Sequence, residues 1–78
     1  MEEKKEKILN LKKYYNSQTD IDVYFRDTKF NMEHVLDGVD VWQLGGIHLG
    51  FFETFELMVE NLVIDGYKFV DIIEELEY

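Results

Sequence analysis

The sequence predicts an α+β domain of order α-β-β-β-α-α, a three-stranded antiparallel meander with its helices packed on one face. Three observations carry that reading. Apolar residues alternate with period two from Asp20 to Leu44. On either side the period is helical, most clearly from Phe51 to Leu62, where Phe51, Phe52, Phe55, Met58, Val59 and Leu62 form one stripe and Glu53, Glu56 and Glu60 the opposite one. Finally, 78 residues without Cys or Pro make one small acidic domain over 1–78, with no disulfide framework and no linker.

The first helix is expected from Glu2 to about Asn16, with Ile8, Leu11 and Tyr15 inward. Glu2 and Glu3 stand near its start and Lys12 and Lys13 near its end, as the helix dipole prefers. The polar run Asn16-Ser17-Gln18-Thr19 ends it. Strands follow over Asp20–Arg26, Lys29–Leu36 and Val39–Leu44, rich in β-branched and aromatic residues. Asp27-Thr28 is the candidate for the first turn and Asp37-Gly38 for the second, a dipeptide suited to the positive φ of a tight hairpin.

Those turns fix a register. Phe25 would pair with Phe30, Val23 with Met32 and Ile21 with His34; Leu36 would pair with Val39 and His34 with Val41. Both place Phe30, Met32, His34 and Leu36 inward, and leave Asp20, Asp22, Tyr24, Asn31, Glu33, Asp40, Trp42 and Leu44 on the outer face. A short helix over Lys29–Gly38, capped by Asn31, is the alternative for the middle strand. Gly45–Gly50 reads as a loop into the Phe51–Leu62 helix, which should stop near Gly66. A third helix is expected to bury Phe69, Ile72, Ile73 and Leu76, with Tyr67–Ile72 as a strand being the alternative.

Catalysis finds few supports in these residues. The single Ser, Ser17, lies in a helix-ending stretch, and nucleophilic chemistry needs an activated hydroxyl or thiol beside a base. His34 reads as a core or edge histidine. His48 could join Glu53 at a cation, but no ligand spacing is present. The glycine loop lacks the lysine of a phosphate-binding loop. No enzyme activity, cofactor or metal is expected.

Net charge is −9 and unevenly spread. Residues 1–13 carry five Lys against three Glu, whereas 14–78 carry three basic residues against fourteen acidic ones. Such a field repels nucleic acid and anionic membranes and attracts basic protein surfaces. A helix-turn-helix over the last third would present Asp71, Glu74, Glu75 and Glu77 against Lys68 alone, which disfavours DNA binding. No apolar run reaches membrane-spanning length, so a cytoplasmic location is expected.

The carboxylates cluster: Glu53, Glu56 and Glu60 in one helical stripe, Asp71, Glu74 and Glu75 in another, and Asp22 facing Glu33 across the sheet. Like charges at these spacings oppose folding, and solubility does not require them. With Asp20, Asp40 and the outer-face aromatics Tyr24 and Trp42, they are the candidate partner-binding residues. Self-association as a homodimer, or an adaptor role through Trp42, Tyr24 and Leu44, is the competing expectation.

On these acidic stripes, on Asp20, Asp22 and Asp40, and on the element order, the chain resembles small acidic phage-encoded inhibitors of bacterial defence, notably anti-CRISPR proteins that mimic DNA. The resemblance implies a non-enzymatic inhibitor acting in a host-cell cytoplasm. Its partner would be a protein whose basic surface handles nucleic acid, such as an RNA-guided nuclease.

Overall fold

The computed structural model describes residues 2–78; the side chain of Glu2, placed by the sequence at the helix start, lies outside that description. Helix α1 (Glu2–Asn16) leads into strands β1 (Asp20–Phe25), β2 (Thr28–Val35), β3 (Gly38–Gln43) and β4 (Ile47–Phe52), which pair in sequential order as one antiparallel sheet. Helix α2 (Phe55–Asn61) follows. A small hairpin, β5 (Val63–Ile64) with β6 (Tyr67–Lys68), then leads to the single helical turn α3 (Phe69–Ile72) and a 3-10 turn, Ile73–Glu75. Among the described residues no helix is long and apolar enough to cross a membrane.

The α+β class and the one-sided packing of the helices hold. Ile21, Val23, Phe25, Phe30, Met32, Val39 and Val41 face inward, where α1 adds Leu11 and Tyr15, α2 adds Phe55, Met58 and Val59, and the C-terminal turns add Phe69, Ile72, Ile73 and Leu76. The last residues also return to the sheet. Tyr24 N–H donates to the Glu77 carbonyl at 2.7 Å and Glu77 N–H to the Tyr24 carbonyl at 2.9 Å, so the free edge of β1 is partly covered.

Both expected registers are off by two residues. The turns fall at Arg26-Asp27 and Leu36-Asp37, giving Ile21↔Met32, Val23↔Phe30, Met32↔Val41 and His34↔Val39. A shift of two preserves which side each residue faces, so the core alternation survives it. Leu36 instead leaves the core for the hairpin tip, 99% exposed. His34, expected inward, is exposed near the end of the interior strand β2, its ring stacked on Tyr15 at 3.7 Å between centroids and its Nε2 donating to the Tyr15 carbonyl at 2.8 Å.

Gly38 shows why the second turn closes early. A Cβ there would lie 2.1 Å from the Phe52 carbonyl oxygen, so β3 must begin at a glycine for β4 to pack beside it.

The meander has a fourth strand. Ile47–Phe52 pairs with β3 after the Leu44–Gly46 turn, with a bulge that sets Leu49 between Val41↔Gly50 and Trp42↔His48. The expected helix therefore loses its first turn, because Phe51 and Phe52 end β4 and helical geometry begins only at Phe55. Thr54 is the N-cap, its Oγ1 accepting from Leu57 N–H at 3.1 Å.

The third helix shrinks likewise. Asp65 (φ 51°) and Gly66 (φ 83°) form a two-residue hairpin turn rather than a helix stop. That hairpin also removes the helix-turn-helix reading.

Candidate functional site

The pleat that buries the inner residues turns Asp20, Asp22 and Tyr24 of β1, Lys29, Asn31 and Glu33 of β2, Asp40 and Trp42 of β3, and His48 and Phe51 of β4 to the other side. Among the described residues no helix packs on this face. Tyr24, Trp42 and Phe51 are 44, 40 and 46% exposed, which rules out the cover by α1 that exposed aromatics invite.

Across it runs a row of carboxylates. Asp20 pairs with Glu33, and Glu33 with Asp40, on three adjacent strands. Neighbouring strands lie about 4.8 Å apart, so three acidic side chains stand side by side over about 10 Å. The two-residue register shift builds this row, since Asp22, expected opposite Glu33, stands opposite Asn31.

Neighbours hold the ends of the row in place. The Asn31 amide nitrogen donates to Asp20 at 2.7 Å, to Asp22 at 3.1 Å and to the Ile21 carbonyl at 3.2 Å. Asp40 accepts from the Trp42 indole N–H at 3.0 Å and meets His48 Nε2 at 2.5 Å, with the Trp42 and His48 ring centroids 4.5 Å apart. Partial burial pushes the Asp40 carboxyl up, but the hydrogen bonds from His48 and Trp42 outweigh it and hold the group below its ordinary value. Glu33, in the middle, has no ion-pair partner among the described residues.

Beside the row a cleft of about 350 Å³ is lined by Asp22, Lys29, Asn31, Trp42, Gln43 and Leu44, together with Phe30 and Gly46. Lys29 Nζ stands 3.7 Å from the Asp22 carboxylate and 5.8 Å from the Tyr24 ring centroid.

The remaining expected residues lie on the helical side. Glu53 sits in the bend before α2, Glu56 and Glu60 on α2, Asp71 on α3, and Glu74 and Glu75 on the 3-10 turn, all exposed. They form no continuous stripe, because neither long helix exists. Two of them are paired: Glu56 with Lys12, whose hydrogen bond lowers its pKa, and Glu75 with Arg26 at 3.4 Å. One flat partner surface can engage the sheet face or the helical side, not both. Tyr24 and Trp42 fall with Asp20, Asp22, Glu33 and Asp40.

His48 and Phe51 join the face because Ile47–Phe52 forms β4 in place of the expected loop and helix start. The available signal was the alternation of Ile47, Leu49 and Phe51 beyond a Gly-Gly turn. His48 pairs with Asp40 rather than Glu53, and among the described residues no group of three or more His, Cys, Asp or Glu is arranged to hold a metal ion. The Ser17 hydroxyl donates to the Tyr14 carbonyl at 2.7 Å, closing the end of α1. No family model, curated protein or solved structure matches the chain.

Proposed function

We infer that this chain is a non-enzymatic binding protein that docks its uncovered sheet face on a basic, nucleic-acid-handling surface of another protein and inhibits it by standing in for nucleic-acid charge. One observation carries the reading, the Asp20–Glu33–Asp40 row on a face that no helix covers. Like charges directly opposite one another weaken a sheet, so the row opposes folding and calls for a use outside it. The chemical counterpart is a surface where Lys and Arg are spaced to meet phosphates. Trp42 and Tyr24 beside the row are residue types that anchor interfaces.

The test uses immobilised chain in two variants. A basic nucleic-acid-binding partner captured by the wild type should be retained by Glu60→Lys, on the helical side, and lost by Glu33→Lys, and the bound chain should block that partner's nucleic-acid binding. Retention by Glu33→Lys, or a complex indifferent to salt, would refute the reading.

A second reading, self-association or an adaptor contact, draws on β4. No Lys, Arg, Asp or Glu occurs from Val41 to Phe52, and Leu44, Ile47 and Phe51 are exposed there. A contact of that kind should strengthen with salt, respond to Trp42→Ala or Ile47→Lys, and ignore Glu33→Lys.

A further inference from the structure

The cleft beside Trp42 has a composition that neither the core nor the carboxylate row requires. We propose that it is a receptor for a single arginine side chain of the basic partner, a specificity that rests on the function inferred above and narrows it. Its wall is the Trp42 ring. Because the indole N–H is committed to Asp40 and His48 packs against the ring without lining the cleft, what Trp42 has left to offer the cleft is aromatic surface rather than a donor. Its rim offers acceptors. Asp22 contributes a carboxylate, and Asn31, whose amide nitrogen is taken up by Asp20, Asp22 and the Ile21 carbonyl, has its oxygen left to offer. Gln43 makes no side-chain hydrogen bond among the described residues. A flat aromatic wall with acceptors at its edge fits a guanidinium, which stacks through its face while its N–H groups hydrogen-bond outward in its plane; an ammonium is compact, strongly hydrated and gains less from such a wall.

Lys29 holds the place meanwhile. Its ammonium is 3.7 Å from Asp22, a long contact between two exposed groups, and such pairs are weak. An entering guanidinium displaces it from Asp22 toward the Tyr24 ring. Lys29 is therefore a competitor of the ligand, which gives the proposal a sign. Removing Lys29 strengthens arginine binding, whereas a cleft built for an anion would lose its ligand with the same change.

Trp42 is the only tryptophan, so indole fluorescence comes from the cleft wall, and the contrast between two equally charged peptides separates the cleft from the neighbouring carboxylate row. The full chain is titrated with nona-arginine and nona-lysine peptides, following Trp42 emission and, by calorimetry, the affinity. Nona-arginine should change the emission saturably and bind about tenfold tighter than nona-lysine, as stacking of a guanidinium on indole provides. Lys29→Gln should tighten nona-arginine binding several-fold, and Trp42→Ala should erase the preference while leaving the common electrostatic affinity. Equal affinity for the two peptides, or weaker arginine binding by Lys29→Gln, would overturn the arginine cleft and leave the acidic-face function standing. Failure of both peptides to bind would overturn the two together.

Discussion

Glu33 and Asp40 face each other across β2 and β3, two carboxylates in directly paired positions, with Asp20 on the far side of Glu33. Cross-strand pairs of opposite charge stabilise a sheet and like pairs do the reverse. Glu33→Lys, which places a cation between two anions, should raise unfolding free energy by about 0.5 to 1 kcal/mol in urea titrations. The same variant should lose binding. A change that strengthens the fold and abolishes the interaction separates a functional row from an incidental one; a destabilised Glu33→Lys would contradict this view of the face.

Tyr15 behaves differently at alkaline pH. Its hydroxyl is buried with no hydrogen-bond partner among the described residues, and burial, with a smaller contribution from Glu33, pushes its pKa up from 10.0 to about 12. A raised folded-state value means that this contribution is complete below pH 10 and is lost as pH rises through 12. Tyr15→Phe should flatten the alkaline limb of the stability profile over that window. Because the hydroxyl gains nothing in place, the variant should fall within about 0.5 kcal/mol of the wild type at neutral pH, or exceed it. A loss well beyond that margin in neutral-pH denaturation would show a partner for the hydroxyl.

Two glycines should separate by cause. At Gly38 an added Cβ would meet the Phe52 carbonyl oxygen at 2.1 Å, so Gly38→Ala should part β3 from β4 and cost about 3 kcal/mol or more. Gly66 has open space but φ 83°, so Gly66→Ala should cost about 1 to 2 kcal/mol. Thermal melts of the two variants measure the difference, and equal costs would argue against the β3–β4 approach described here.

Leu36 tests the register. At the hairpin tip it is 99% exposed, and Leu36→Lys should change stability by less than about 0.5 kcal/mol. Paired with Val39 in the core, as the Asp37-Gly38 turn implied, its loss would have cost about 2 to 5 kcal/mol.

That contrast shows what was legible in the residues. Period two identifies the face of Val23 or Phe30 whatever the register, so the core and the outer face could be read before the pairing was known. Register could not, because turn chemistry at Asp37-Gly38 competed with the close approach of Phe52 to Gly38, a tertiary contact with no local signature. Phe51 and Phe52 suit the end of a strand as well as the start of a helical stripe. Only pairing with Val39 and Asp40 decides between them. The candidate site followed the same division. Asp20, Asp22, Glu33, Asp40, Tyr24 and Trp42 shared a face by parity alone, whereas the glutamates of the helical side depended on helix lengths that the Thr54 cap and the Asp65-Gly66 turn cut short.

The most direct measurement is the affinity of the purified chain for nona-lysine across ionic strength, for the wild type, Glu33→Lys and Glu60→Lys. Wild type and Glu60→Lys should bind alike at low salt and weaken together as salt rises, while Glu33→Lys should bind weakly throughout. Equal losses in the two variants, which would mean that net charge alone attracts the peptide, would contradict a binding face built on the sheet.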